Sequence, residues 1–265
     1  MSWLQTIVLA IVQGFTEFLP ISSSGHLVIV PALVGWTDQG LTFDVAVHFG
    51  TLTAVCAYFR NDLLALIRGG LNFLGGGAAS PDSRMAICIV IGTIPAAVAG
   101  LLFAGWIEAN LRSPVVIVLT LSGYGILMAL ADRFGRHERT SAGIRLRDAI
   151  IIGIAQALAL VPGTSRAGVT ISAAMILGFK RLDAARFSFL LSAPVILAAT
   201  IFETSMLFVE GLQIAWPQLA IGISISAIVA YISIEFFMRF VNAIGLVPFA
   251  VYRLGLAGVI YYALV

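Results

Sequence analysis

The sequence predicts an all-α integral membrane protein with six transmembrane helices and two re-entrant helical hairpins in an inverted-topology repeat. Composition is the first reason: 60% of the 265 residues are hydrophobic, 11% are charged, and the mean hydropathy is +1.04. Soluble domains carry roughly 25% charged residues, so a water-soluble fold is excluded. The other reasons are six apolar runs that are long enough to span a bilayer and two apolar regions that are broken at their centres.

The six uninterrupted runs each approach the ~20 residues that a helix needs to cross a bilayer. They cover residues 41–59, 86–107, 113–131, 186–209, 217–238 and 243–264. Strict alternation over ~10 residues, which is the pattern of a membrane β-barrel, is absent. We therefore expect one compact helical bundle, a single membrane domain over residues 1–265.

The two broken regions, 1–36 and 148–180, are interrupted by Pro, Gly and Ser. Neither half of either region reaches about 20 uninterrupted apolar residues. Non-helical backbone is tolerated at membrane depth only where it is buried in protein or lines a polar cavity. Each region therefore predicts a hairpin that enters the membrane and returns to the same side.

Three matches between the two halves of the chain predict the repeat. The matched segments are 13–23 with 156–165, 43–50 with 187–194, and 91–98 with 244–251. Each half, 1–131 and 148–265, would contain one hairpin and three spans. Because three is odd, the second half must enter from the opposite side, and the broken segments would meet near the midplane.

The basic residues are distributed asymmetrically over this topology. Only Arg112 lies on one face, and Arg166 and Arg253 fall inside apolar segments. The other 12 of the 15 Lys and Arg residues share the opposite face: Arg60, Arg68, Arg84, Arg133, Arg136, Arg139, Arg145, Arg147, Lys180, Arg181, Arg186 and Arg239. The positive-inside rule places this basic face in the cytoplasm, with both termini and the entry of the first hairpin outside.

Other features of the chain indicate little about partners. The formal net charge is only +2, and we expect no nucleic-acid partner; a homodimer stays open. Cys56 and Cys88 lie inside apolar runs and are expected as free thiols. The N-terminus lacks a basic region and a small-residue cleavage site, so we expect no removable signal peptide.

The first broken region carries a cluster of polar residues. Gln13 and Glu17 are four residues apart and share a helix face, and the helix should end or kink at Pro20. Glu17 could bind a divalent cation, orient His26, or pair with Arg166.

Three serines follow in the same region. Ser22, Ser23 and Ser24 precede Gly25 and His26. These serines could form an anion-binding turn or cap the returning half-helix, and the two roles are compatible. His26 could be a general base, a general acid or a nucleophile, or a satisfied core group.

The second broken region carries Arg166. An always-charged group at membrane depth usually faces a polar cavity, and a guanidinium can clamp phosphate oxygens bidentately. Thr164, Ser165 and Thr170 could add donors. The alternative is that Arg166 only pins the two hairpins together through Glu17. The two clusters together predict phosphate chemistry inside a membrane protein.

Polar residues outside the clusters are less decisive. Asp44 and His48 are expected as an interhelical hydrogen-bonded pair, or as a wall of the site. Glu235 and Arg239 share a helix face and are expected as a structural or interfacial pair. Arg253 could contact the site or hold a carboxylate of the bundle.

The two clusters resemble the signatures of a known family. Residues 13–26, QGFTEFLPISSSGH, resemble the first signature of the undecaprenyl-diphosphate phosphatase family (BacA/UppP type), and residues 162–170, PGTSRAGVT, are similar to the second. The resemblance extends over nearly the whole chain. Gln13 departs from a glutamate that many members have, which weakens a two-carboxylate metal site. Ala167 replaces a common serine, which would remove one phosphate donor.

The resemblance implies a hydrolase of the bacterial inner (plasma) membrane, with its site open to the outer side. Its activity would be hydrolysis of undecaprenyl diphosphate to undecaprenyl phosphate and inorganic phosphate, which recycles the lipid carrier for cell-wall synthesis and relates to bacitracin resistance. The implied cofactor is a divalent cation, Mg²⁺ or Ca²⁺, with Glu17 as a ligand. Glu17, Ser23, His26 and Arg166 would occupy the essential positions.

The order of chemical events stays open at this point. Ser23 or His26 could attack the terminal phosphorus, or one of them could activate water; we favour Ser23 as nucleophile, with His26 as proton shuttle. Substrate-binding roles are expected for Gln13, Ser22, Ser24, Thr164, Ser165 and Thr170. The alternative function is a transporter or flippase of a polyprenyl phosphate lipid, because inverted repeats with broken helices are also transporter architecture.

Overall fold

The protein folds into a bundle of α-helices. A computed structural model describes residues 1–210 and 215–265, and within these residues it contains eleven α-helices and no β-strand. In chain order they are α1 (Trp3–Thr16), α2 (Ser23–Val34), α3 (Leu41–Tyr58), α4 (Arg60–Leu74), α5 (Pro81–Leu111), α6 (Pro114–Phe134), α7 (Leu146–Leu158), α8 (Arg166–Ile176), α9 (Arg181–Glu210), α10 (Trp216–Ile244) and α11 (Val247–Leu264).

Six helices are long and apolar enough to cross a membrane. The qualifying stretches are Leu41–Tyr58, Pro81–Ile107, Pro114–Phe134, Arg181–Ser205, Trp216–Ile244 and Val247–Leu264. They coincide one to one with the six predicted runs, so the prediction of a multi-pass helical membrane protein is confirmed. Helix α5 begins five residues earlier than its apolar run because a polar cap starts it. Ser80 forms a capping box at the start of α5, ahead of Pro81 in its first turn.

The two broken regions each form a hairpin of short helices. In the first hairpin, which comprises α1 and α2, the Gln5 amide donates to the Thr37 carbonyl at 2.8 Å and ties the open ends together. In the second hairpin, which comprises α7 and α8, Arg139 donates to the Leu177 carbonyl at 2.9 Å and also pairs with Asp148. Both hairpins are therefore closed at their open ends by a side chain that reaches a backbone carbonyl.

The first hairpin packs against α10 through small residues. A side chain at Gly14 would come within 2.6 Å of the Ser226 carbonyl oxygen, and one at Gly50 of α3 would also collide with Ser226. Small residues allow helix backbones to approach closely where no hydrophobic effect drives helices together. At the turn of the hairpin, Phe18 joins the main core, with its ring centroid 5.2 Å from that of Phe189 on α9.

Helix α4 was not predicted. Its 15 residues include charged and amide side chains and form no apolar run, so the segment was treated as a cytoplasmic loop. Leu66 is its only buried residue, whereas Ile67, Leu71 and Leu74 are exposed. Gly69 lets α4 lie directly on the start of α5, since an added Cβ would come within 2.9 Å of the Ser83 backbone nitrogen.

One of the three sequence matches behind the predicted repeat is wrong. Pro95 lies in the interior of α5, whereas Pro248 lies in the first turn of α11. In the predicted repeat, the counterpart of α5 by order along the chain would be α10. The match therefore pairs two prolines that occupy different positions in non-equivalent helices.

Candidate active site

The two turns of the hairpins have the same local geometry. Ser22 precedes α2 with φ of 75°, and Ser165 precedes α8 with φ of 70°. Each hydroxyl accepts a hydrogen bond from the backbone N–H three residues later, at Gly25 and Gly168 respectively. Positive φ is costly for serine and tends to occur where function requires it. The serines therefore cap both helices: the cap at Ser22 is one of the two roles expected from the sequence, and the cap at Ser165 was not expected.

Glu17 lies where the two turns meet. Its Oε1 accepts from Arg166 at 3.0 Å, and its Oε2 accepts from Ser23 at 2.6 Å and from Gln13 at 3.1 Å. The side chains of Glu17 and Arg166 are 7% and 13% exposed, so this is a desolvated ion pair. The predicted encounter of Glu17 with Arg166, 149 residues apart, is present. Ser23 and Arg166 are the first residues of α2 and α8, so both helix N-termini face one carboxylate.

Two residues that the sequence interpretation missed hold Arg166 in place. The Ser188 carbonyl on α9 accepts from Arg166 at 3.3 Å, and the guanidinium lies 5.5 Å from the centroid of the Phe18 ring. The Ser188 hydroxyl is also bonded to Thr170 at 2.6 Å. Ser188 stands in an apolar run without a local motif, so no sequence signal marked it.

His26 is held by groups other than Ser23. Its Nδ1 lies 2.7 Å from the Ser22 carbonyl oxygen, and its Nε2 lies 2.7 Å from the Tyr252 hydroxyl on α11. The Ser23 hydroxyl is bonded to Glu17 instead. The geometry therefore offers the carboxylate of Glu17, rather than His26, as the proton acceptor for Ser23.

The remaining predicted substrate-binding residues fall into two groups. Ser24 is exposed and its hydroxyl lies 3.4 Å from that of Ser22, whereas the Thr164 hydroxyl is fully buried and has no partner. Thr170 instead donates to the Arg166 carbonyl at 2.8 Å, and its hydroxyl is also hydrogen-bonded to the Ser188 hydroxyl. Ala167 is buried in the main core, at the position where a phosphate donor was expected to be missing.

His48 is a further neighbour of Glu17. Its Nε2 lies 3.8 Å from Glu17 Oε2, and its Nδ1 is bonded to the Asp44 backbone carbonyl at 2.7 Å. The Asp44 carboxylate accepts from Gln39. The expected side-chain pair between Asp44 and His48 is thus replaced by the alternative, in which His48 forms a wall of the site.

Two basic residues on the last helices have different surroundings. Arg239 pairs with Glu235, which also accepts from Tyr58 at 2.7 Å, as expected for a structural pair. Arg253 is fully buried and donates to four backbone carbonyls. Two of these belong to the turns themselves, Pro20 at 3.4 Å and Gly163 at 2.9 Å, and the others are Thr120 and Leu121 of α6.

The donor atoms around Glu17 fit a hard cation. Gln13 Oε1 is buried and has no hydrogen-bond partner, although its amide nitrogen is bonded to Glu17. Amide and carboxylate oxygens are ligands that Mg²⁺ and Ca²⁺ accept, and Mg²⁺ commonly takes one or two carboxylates plus substrate phosphates. Among the described residues no cluster of three His, Cys, Asp or Glu side chains forms a complete metal site. Substrate oxygens or water would therefore have to complete the coordination.

These features define a class of protein: a multi-pass helical membrane protein with a buried carboxylate that binds a guanidinium and a serine at two helix N-termini. The profile of the family described as bacitracin resistance protein BacA matches residues 6–259. The chain belongs to this family, as the two signatures predicted.

Named relatives agree with this assignment. The chain is 52% identical over 254 residues to the undecaprenyl-diphosphatase of Hahella chejuensis, which covers 96% of this chain and 95% of that protein. It is 48% identical to the undecaprenyl-diphosphatase of Alcanivorax borkumensis, over 96% of both chains. It is also 48% identical to undecaprenyl-diphosphatase 2 of Stutzerimonas stutzeri, over 98% of this chain and 97% of that one.

Proposed function

We propose that this chain hydrolyses undecaprenyl diphosphate to undecaprenyl phosphate and inorganic phosphate. Its family and its relatives named undecaprenyl-diphosphatase support this function. The structural observation that carries the proposal is the convergence of the Ser23 hydroxyl and the Arg166 guanidinium on Glu17, at 2.6 and 3.0 Å. A hydroxyl nucleophile, a base and a fixed cation are the groups that phosphoryl transfer requires.

The two hairpins are proposed to be re-entrant and to belong to inverted repeats over residues 1–131 and 148–265. Equivalent positions 143 residues apart support this topology: Ser22 with Ser165, Gly25 with Gly168, and Gly35 with Gly178. The serines share their positive φ and their capping bond, and the glycines at the helix ends share φ of 74° and 92°. The match of residues 91–98 with 244–251 joins segments with different positions in their helices, so the proposed topology rests on the two hairpins.

The protein is proposed to lie in the bacterial inner (plasma) membrane, with both termini outside and the site open to the outer side. The order of hairpins and spans supports this orientation, because it gathers the basic loop residues at one end of the bundle. The polyprenyl tail would remain in the bilayer while the diphosphate enters between the hairpins.

The N-termini of α2 and α8 supply the electrostatics for the diphosphate. A helix N-terminus presents unpaired N–H groups and a partial positive charge, which together favour phosphate binding. Ser23 and Arg166 start these helices, and the exposed hydroxyl of Ser24 and the unpartnered hydroxyl of Thr164 can donate to phosphate oxygens. Arg166 would release Glu17 in part and bind phosphate oxygens, where it offsets the charge that develops in the transition state.

The proposed reaction begins at Ser23. Its Oγ attacks the terminal phosphorus while Glu17 takes the hydroxyl proton; the P–O bond to the bridging oxygen breaks, and undecaprenyl phosphate leaves with that electron pair. Water then attacks the phosphoserine, the bond from phosphorus to Oγ breaks, and inorganic phosphate is released with the serine reprotonated. Gln13 and Glu17 would hold the divalent cation, which neutralises charge on the phosphate oxygens when it is bound.

The test is phosphate release from a C55 diphosphate by detergent-purified protein, with Ser23→Ala and Arg166→Ala alongside. Both variants are expected to lose release almost completely while keeping the wild-type size-exclusion profile. Ser224→Ala and Arg186→Ala are matched controls: Ser224 is exposed on α10, and Arg186 is a half-exposed guanidinium that pairs with Asp62 of α4. Release by Arg166→Ala near the wild-type rate would refute the role of the guanidinium.

The same measurement separates hydrolysis from lipid transport. In detergent micelles there is no second compartment, so a transporter or flippase gives no product. Wild-type protein that binds the lipid but releases no phosphate, with Mg²⁺ or with Ca²⁺, would favour the transport alternative.

A further inference from the structure

We propose that Tyr252 on α11 is a positioning residue of the active site, which holds His26 in one orientation and one tautomer. The Tyr252 hydroxyl lies 2.7 Å from His26 Nε2, and the two rings are nearly parallel, with 7° between their planes and 5.7 Å between their centroids. This inference rests on the proposed function, because it takes His26 as part of the site.

The hydrogen bonds of His26 determine where its proton lies. The Ser22 carbonyl can only accept, so the nitrogen beside it, Nδ1, must carry a hydrogen. In the neutral imidazole Nε2 is then the acceptor, and the Tyr252 hydroxyl donates to it. The chain from Ser22 through His26 to Tyr252 therefore leaves Nε2 as the single basic nitrogen.

The position of Tyr252 does not follow from packing alone. Tyr252 is 46% exposed, and its neighbour Val251 is 63% exposed, so this face of α11 is directed away from the bundle. The Tyr252 hydroxyl nonetheless reaches inward to a ring that is 7% exposed. A phenylalanine would fill the same space, so only the hydroxyl gives a reason for tyrosine here.

The next residue along α11 acts on the same site from another direction. Arg253 donates to the carbonyls of Pro20 and Gly163, one in each turn. Two consecutive residues of one helix thus fix the backbone of both turns and the ring of His26. Helix α11, which carries none of the predicted site residues, holds the assembled site together.

The test compares Tyr252→Phe with Tyr261→Phe, a control on the same helix whose side chain is 64% exposed. Tyr252→Phe is expected to lower kcat about tenfold, the effect of one lost hydrogen bond, because His26 then holds the carbonyl of Ser22, the residue before Ser23, less firmly. KM and melting temperature are expected to stay unchanged. Tyr261→Phe is expected to match wild type. An unchanged kcat in Tyr252→Phe, or a change confined to KM or to melting temperature, overturns the proposal.

A second readout does not depend on turnover. Diethyl pyrocarbonate modifies an unprotonated imidazole nitrogen that is free of other bonds, and peptide mass spectrometry resolves the peptide that contains His26. Modification there is expected to be faster in Tyr252→Phe than in wild type and in Tyr261→Phe. Equal rates would show that the hydroxyl does not hold Nε2. If the wild-type protein released no phosphate at all, the proposed function would fail while this rate would still report on the hydrogen bond.

Discussion

At equivalent positions 143 residues apart, the first hairpin carries Ser23 and the second carries Arg166. Both residues open a short helix behind a capping serine of positive φ, so the backbone is shared. The chemistry differs, because Glu17 of the first hairpin corresponds to Leu160 of the second. The same backbone thus supplies two helix N-termini. The residue at the matched position gives the first helix a hydroxyl, from Ser23, and the second a guanidinium, from Arg166.

Of the variants that test this difference between the hairpins, Glu17→Gln is expected to lower phosphate release most. The amide cannot take the proton of Ser23 and leaves the buried guanidinium of Arg166 without a counter-charge. Phosphate release is expected to fall about 10³-fold, within the range of lost acid–base catalysis. The matched control is Leu160→Gln, which places the same amide at the equivalent position of the second hairpin and is expected to release phosphate at nearly the wild-type rate. A steady-state assay on both variants that gives equal rates would remove Glu17 from the mechanism.

Arg253→Met tests whether the two turns depend on one common support. Methionine leaves the carbonyls of Pro20 and Gly163 buried and without their donor, and each buried unsatisfied group costs about 1–3 kcal/mol. We expect a loss of roughly 3 kcal/mol in unfolding free energy from denaturant titration in micelles. Hydrogen exchange is expected to rise at residues 17–22 and 159–165 together.

The matched control for that variant is Arg239→Met, which removes an exposed guanidinium paired with Glu235. Surface ion pairs contribute little, so its stability is expected to change by less than about 1 kcal/mol. Faster exchange in only one turn of Arg253→Met would mean that the hairpins are supported separately.

The extent of the spans could be predicted because apolar length is a direct consequence of bilayer thickness. Helix α4 could not, because it lies on α5 through a close approach at Gly69, a contact that a hydropathy pattern does not encode. The match of Pro95 with Pro248 failed for a related reason. Proline kinks a helix when it lies in the interior but is well tolerated in the first turn, and a short motif does not distinguish the two positions.

The contacts of the site also fall into those that the sequence predicted and those that it did not. Glu17 and Arg166 were predicted to meet because each is a charge that is expensive at membrane depth without a partner. Ser188 and Tyr252 were missed as partners because they come from two other helices and stand in no motif, whereas His48 was expected only as an alternative wall of the site. His26 was assigned to Ser23 from sequence proximity, but the chain direction at the start of α2 aims its ring towards α11 instead.

The capping serines give the smallest expected effects and the sharpest comparison. Ser22→Ala and Ser165→Ala each lose a cap and keep a strained φ, so each is expected to cost about 1 kcal/mol of stability. Ser22→Gly and Ser165→Gly lose the same cap, but glycine relieves the strain, so each is expected to change stability by only a few tenths of a kcal/mol. Thermal denaturation of the four variants measures these changes in stability.

Activity should separate the two positions even though stability does not. The Ser22 carbonyl holds Nδ1 of His26, so a looser backbone in Ser22→Gly is expected to lower kcat, whereas Ser165→Gly should leave it nearer to wild type. Unequal stability losses for Ser22→Ala and Ser165→Ala would mean that the two turns are not structural equivalents. Equal losses with unequal kcat would support a duplicated backbone on which only the side chains have diverged.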